Sequence, residues 1–261
     1  MGVASAESVL HWLVGISIVG YLLLAARLWR TGLFHVYHFF SVYILVEFTR
    51  TATLSLIPPR TNLYGYVWVA AEPFAWILYI LVVLELYGLV LKSFVGIATL
   101  GRRVLGVAVA VALGVSVLTL LPGLGDSPQP YPVLHYVYIL ERGVVSSLVI
   151  LLLLITSFMV WYPVPLSRNL VTHFVLFAMY FLSKTVLLLL LQITAQQVTR
   201  AISVGLLVMV NVCLVCWITL LKRVGERQTV VVGHQWNPDR EKELVANLNA
   251  INDALLRSSR K

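Results

Sequence analysis

The chain of 261 residues is 60% hydrophobic and only 11% charged, and its mean hydropathy is +0.91. These values exclude an ordinary soluble globular protein, in which about a quarter of the residues are charged. The net charge of +8 requires no nucleic acid partner, because attraction to the anionic lipids of an inner leaflet explains it.

Seven apolar stretches are each long enough to cross a membrane, which takes about 20 residues of helix. We therefore predict an all-α membrane protein, with a bundle of seven transmembrane helices in residues 1–225 and a cytoplasmic tail in residues 226–261. The predicted spans are Val9–Trp29, Leu33–Ile57, Tyr64–Leu91, Val104–Leu121, Val133–Tyr162, Leu170–Ala195 and Ala201–Leu221.

Basic residues indicate the orientation of the bundle. They are concentrated after the first, third, fifth and seventh spans, and the positive-inside rule places these segments in the cytoplasm. The amino terminus is then expected outside and the carboxyl terminus inside, and the bacterial inner membrane is the expected location. The residues concerned are Arg27, Arg30, Lys92, Arg102, Arg103, Arg168, Lys222, Arg223 and Arg227.

Polar residues inside the predicted spans form one layer. Counted from the outer end of each span at about 1.5 Å per residue, seven of them lie about 10–16 Å below the outer boundary. Charged side chains within a membrane are costly unless they face the bundle interior and find partners there. We therefore expect a network between helices, formed by Glu47, Arg50, Glu72, Glu141, Arg142, Lys184 and Asn211.

This predicted network has two interpretations. It lines an outward-facing cavity that binds a small polar or zwitterionic ligand, or it is a neutralised network that only fixes how the helices pack. A proton-coupled transporter or membrane enzyme that uses Glu47, Glu72 or Glu141 is a further alternative. The sequence shows no inverted repeat, no catalytic constellation and no metal-ligand cluster, and we expect no cofactor.

Two features are expected on the cytoplasmic side. Glu85 lies about two turns above the inner boundary, and it either pairs with a basic loop residue or couples the bundle to a partner. In the tail, Asn237, Pro238 and Asp239 predict the start of a helix. That helix carries an apolar stripe, which docks on the bundle or the inner leaflet, or pairs with a second copy or a partner protein. The stripe consists of Leu244, Leu248, Ile251 and Leu255.

The predicted topology resembles the seven-helix sensor modules of bacterial histidine kinases. Glu85, the Glu141-Arg142 pair and residues 247–256 are similar to features of uncharacterised stand-alone bacterial seven-helix proteins. This resemblance implies a fold and no activity. We expect an integral membrane sensor or adaptor in which ligand binding shifts the fifth and sixth spans, and Glu85 and the tail transmit the change. A structural subunit of a membrane complex is the alternative.

Overall fold

The computed structural model describes residues 3–58, 61–92, 110, 132–162, 165–193, 199–231 and 238–259. Within these ranges the chain forms seven α-helices, one short 3-10 helix (Arg223–Glu226) and two short strands, β1 (Pro165–Ser167) and β2 (Thr229–Val231). The α-helices are α1 (Val3–Thr31), α2 (His38–Leu56), α3 (Asn62–Val90), α4 (Pro132–Trp161), α5 (Arg168–Ile193), α6 (Thr199–Leu220) and α7 (Pro238–Ser259).

Five segments of the described helices are long and apolar enough to cross a membrane, so the chain is an integral membrane protein. They are Ser8–Thr31, Asn62–Val90, Leu140–Trp161, Arg168–Leu190 and Ala201–Leu220. The helix at the second predicted span, α2, is not among them, and it carries Glu47 and Arg50 within its 19 residues. Apart from residue 110, the predicted fourth span, Val104–Leu121, lies outside the described residues.

Helices α1 to α6 pack in chain order, each against the next, and α6 returns to α1. In addition, α3 contacts α5. One contiguous apolar core runs through this arrangement, with fully buried side chains such as Leu24, Ile44, Val82, Leu152 and Phe177. The packing order explains why residues far apart in the sequence, on α2, α3, α4 and α5, can meet inside the bundle.

We call the end of the bundle where α1, α3, α4 and α6 end the base, and the opposite end the top. At the base, α1 ends before Gly32, whose φ of +73° lies in the left-handed region that glycine adopts readily. The chain then turns through residues 32–37, so α2 begins at His38 instead of at the predicted Leu33.

A two-stranded antiparallel sheet at the base joins the start of α5 to the segment after α6. Its register pairs Leu166 with Val230. The sequence analysis did not predict these strands, because three residues are too few to show an alternating pattern. Between α6 and β2, Gly225 lies directly against the side chain of Asn169, the second residue of α5.

We predict that Gly225→Ala destabilises the protein, because the added Cβ would overlap the Asn169 amide. Overpacking of this kind costs about 1–3 kcal/mol, measured as the loss of unfolding free energy in detergent micelles. Gly15→Ala is the matched control, since a Cβ at Gly15 meets nothing within 4 Å. An equal loss of stability in both variants would show that the contact with Asn169 does not restrict the size of the side chain at position 225.

Candidate functional site

Arg50 of α2 holds together two buried carboxylates in the top half of the bundle. Its Nη2 lies 2.8 Å from Oε2 of Glu47, one turn earlier on the same helix. Its Nη1 lies 2.5 Å from Oε1 of Glu72 on α3. Glu47 and Glu72 are each only 2% exposed. These three residues, which we call the Arg50 cluster, therefore link α2 to α3 by buried charge.

A second ion pair links α4 to α5. Lys184 Nζ lies 2.5 Å from Glu141 Oε1, and both residues are buried. The same ammonium donates a hydrogen bond to the Tyr79 hydroxyl (3.2 Å), which in turn lies 3.1 Å from the Tyr180 hydroxyl. It also lies 5.0 and 5.8 Å from the ring centroids of Tyr79 and Tyr180, within the range of cation–π interactions. The Lys184 ammonium is thus surrounded by one carboxylate and two phenol groups.

The structure brings together five of the seven residues predicted for the outer layer, as the Arg50 cluster and the Lys184–Glu141 pair. Arg142 is partly buried next to Glu141 on α4, and it has an interaction partner of its own. Asn211 lies elsewhere, between α6 and α1. Its amide donates to the Ser17 hydroxyl at 3.0 Å and to the Leu13 carbonyl at 3.2 Å.

Several polar atoms in the top half are buried yet make no hydrogen bond with any residue that the structure describes. Buried polar groups without a partner are rare in folded proteins, and each costs about 1–3 kcal/mol, more when it is charged. Three of these atoms belong to the Arg50 cluster itself, so that cluster keeps hydrogen-bonding capacity that no described residue uses. The atoms are Glu47 Oε1, Arg50 Nε, Glu72 Oε2, Trp76 Nε1 and Thr185 Oγ1.

A polar cluster at the base was missed by the sequence analysis. Oε1 of Glu226 accepts hydrogen bonds from the Tyr37 hydroxyl (2.6 Å) and the Asn169 amide (2.8 Å). The same amide donates to the Lys222 carbonyl at 2.8 Å. Burial raises the pKa of Tyr37 well above its ordinary value, so its hydroxyl remains a donor. We call Tyr37, Asn169 and Glu226 the base cluster. Their separations of 189 and 57 residues left no local pattern to find.

Two charged side chains near the base bind helix ends. The Glu85 carboxylate accepts hydrogen bonds from the backbone N–H groups of Phe39 (3.0 Å) and Phe40 (3.2 Å) in the first turn of α2. The Arg27 guanidinium donates to the Leu221 carbonyl just after α6, at 3.1 and 2.8 Å. Unpaired N–H and carbonyl groups at helix ends need such partners. Glu85 therefore acts as an N-terminal cap that a different helix supplies, while its coupling role stays a prediction.

His173 lies in a buried aromatic cluster near the base. Its ring centroid is 4.4 Å from that of Tyr37 and 4.6 Å from that of Phe40, and the rings of Phe177 and Trp217 are also adjacent. His173 is fully buried, and neither ring nitrogen bonds to a described residue. The imidazole therefore packs here as one more aromatic ring.

The apolar stripe of α7 is buried unevenly. Leu248 is 2% exposed and belongs to the same contiguous core as the bundle helices. Leu244 and Leu255 are partly buried, whereas Ile251 is 48% exposed. Leu248 thus ties the tail to the rest of the protein, and the role of the stripe toward a partner stays a prediction.

Comparison with protein-family models, with curated proteins and with solved structures found no match to the chain. The described fold and clusters define the class as a helical integral membrane protein with buried ion pairs in the top half and a polar cluster at the base.

We predict that Glu141→Gln lowers the unfolding free energy by about 3–5 kcal/mol, because it leaves the buried Lys184 ammonium without its counter-charge. The double variant Glu141→Gln/Lys184→Met should recover most of this loss, since both buried charges are then gone. Glu243→Gln, which removes an exposed carboxylate of α7, is the control. A loss below about 1 kcal/mol for Glu141→Gln would contradict the pairing.

We also predict that Glu85→Gln costs about 1 kcal/mol, because the variant loses one acceptor and the charge at the positive end of α2. Lys92→Ala should have almost no effect, since the exposed Lys92 is not the partner of Glu85. Thermal unfolding of both variants in nanodiscs would test this. Equal losses of stability for Glu85→Gln and Lys92→Ala would instead favour an ion pair between Glu85 and Lys92.

Proposed function

We propose that the protein is an integral membrane sensor or adaptor that binds a small polar ligand in the top half of the bundle. The observation that carries this proposal is the set of buried atoms in the Arg50 cluster that have no partner among the described residues. A network that served packing alone would be expected to satisfy its own hydrogen bonds. A polar ligand would complete these bonds, and Arg50, whose side chain is 18% exposed, is the part of the cluster nearest the protein surface.

The helices that carry the top residues also carry the base residues. In α5, Lys184 contributes to the upper ion pair and Asn169 to the base cluster, about 22 Å apart along one helix. Helix α2 carries Glu47 and Arg50, and Glu85 binds its first turn. A ligand that displaces these helices would therefore change contacts at the base. This deepens the expected role of the fifth and sixth spans, which correspond to α4 and α5.

We further propose the membrane arrangement in which this sensor operates. The chain crosses the bacterial inner membrane seven times, with its amino terminus outside, so the top faces outward and the base faces the cytoplasm. Support comes from the basic residues near the base, such as Arg27, Arg30 and Arg223. In this arrangement α7 offers Ile251 to a cytoplasmic partner or a second copy.

Thermal unfolding of the full chain in nanodiscs, screened against a library of small polar metabolites, tests the proposal. We expect one chemical class to raise the unfolding midpoint and to change hydrogen–deuterium exchange at the base, in residues 223–231. Arg50→Lys should weaken this response at least tenfold, because Lys keeps the charge but lacks the planar guanidinium whose two terminal nitrogens hold Glu47 and Glu72 in fixed positions.

The matched control is Thr49→Val, an exposed neighbour on α2 whose hydroxyl bonds to its own helix. It should respond like the wild type. If no compound shifts the wild type while Arg50→Lys unfolds, the network is a packing device and the protein is a structural subunit. Binding without any change at the base would overturn the sensor proposal.

A further inference from the structure

The Arg50 cluster carries an excess of negative charge. One guanidinium faces two carboxylates, which leaves a net charge of −1 on three residues in the bundle. In the part of the chain that the structure describes, no other cation lies within ion-pair distance of Glu47 or Glu72. Uncompensated charge away from water is strongly unfavourable. Among the described residues, the cluster is therefore incomplete in charge as well as in hydrogen bonds.

The Lys184–Glu141 pair adds no net positive charge to the Arg50 cluster. Its ammonium lies against Glu141 and the phenols of Tyr79 and Tyr180, and the pair is neutral by itself. The excess negative charge therefore stays with Glu47 and Glu72, whose remaining oxygens are buried and unpartnered within the described residues.

The unpartnered atoms indicate the charge of the ligand. Glu47 Oε1 and Glu72 Oε2 are anionic acceptors, and both carboxylates are held by the same guanidinium, so the two groups are close together. A group that donates hydrogen bonds and carries a positive charge satisfies both oxygens and brings the cluster to neutrality. An anion would bring a second negative charge to the two carboxylates, which opposes binding.

The protein also shows how it binds an ammonium group. Around Lys184, a carboxylate supplies the counter-charge and aromatic groups supply the remaining contacts. The Arg50 cluster supplies two carboxylates, and an aromatic side chain lies one turn away from it on α3. Trp76 follows Glu72 by one turn on the same face of α3, and its indole N–H is buried and unpartnered among the described residues. An indole is the most favourable ring for a cation–π contact.

We propose that the Arg50 cluster binds a small molecule through a primary ammonium group, which lies between Glu47 Oε1 and Glu72 Oε2. This inference rests on the proposed function and names the chemical class of its ligand. Arg50 then acts as the positioning residue that holds the two carboxylates side by side, and the ligand supplies the second positive charge.

The test uses the full chain in nanodiscs at pH 8, with ethylammonium chloride as the probe and sodium chloride of equal ionic strength as the reference. We expect ethylammonium to raise the unfolding midpoint of the wild type with saturation, and sodium to leave it unchanged. Glu72→Gln should weaken the ethylammonium response at least tenfold, because it removes the excess charge and leaves Arg50 paired with Glu47. Glu243→Gln should respond like the wild type.

Glu72→Gln should not unfold the protein in the absence of amine, since it makes the cluster neutral, whereas loss of the Glu141 charge leaves an unpaired ammonium. An equal rise of the midpoint with sodium would overturn the proposal, because the site would then accept any monovalent cation. A rise on acidification to pH 6 without any ethylammonium response would overturn it in favour of a bound proton.

The results of these experiments also distinguish a failure of this inference from a failure of the proposed function. If neutral or anionic metabolites stabilise the wild type and Arg50→Lys abolishes the effect, the binding site stands and the ammonium class is wrong. If Glu72→Gln unfolds and no compound of any charge stabilises the wild type, both are wrong.

Discussion

The cost of placing charge inside an apolar bundle is the constraint on which the rest of the structure depends. Arg50 pairs with Glu72 between α2 and α3 and with Glu47 within α2, and Lys184 pairs with Glu141 between α4 and α5. Because Glu72 and Lys184 each lie on a helix next to that of their partner, these two ion pairs fix which helix faces meet. Helix packing and site geometry therefore have the same physical origin in this protein.

Depth within the bundle could be predicted from the sequence, but pairing could not. Counting residues along each span suggested that these charged residues would meet other helices, because helix rise is constant and burial of charge demands partners. Glu72, Glu141 and Lys184 pair with a neighbouring helix, whereas Glu47 pairs with Arg50 on its own helix. The same count put Asn211 in that layer, although it binds α1 through Ser17. Counting residues gives only the depth of a residue in the bundle. Which helix that residue faces depends on how its own helix is rotated about its axis and on side-chain packing, both of which apolar sequences specify weakly.

The base illustrates a different limit of sequence analysis. Apolar length predicted the helices, and the Asn237-Pro238 pattern predicted where α7 begins. In contrast, the sequence suggested an ion pair or a coupling role for Glu85, and it did not suggest the hydrogen bonds that its carboxylate accepts from backbone N–H groups of α2. Backbone groups carry no sequence signal of their own, and the acceptor for them comes from another helix. Contacts of this kind, like Glu226 with Tyr37, become visible only when the chain is folded.

The position of Glu226 has a consequence for where the chain can be divided. By composition, the boundary between the bundle and the tail falls after residue 225. Across this boundary, however, Glu226 accepts hydrogen bonds from Tyr37 and Asn169, and β2 pairs with β1. The first residues after α6 therefore belong to the folded base. A truncation or reporter fusion placed before Glu226 would leave a buried phenol and amide without their acceptor, and one placed between Glu226 and Thr229 would still remove β2. A truncation or fusion placed between β2 and α7 would keep both the acceptor and the strand.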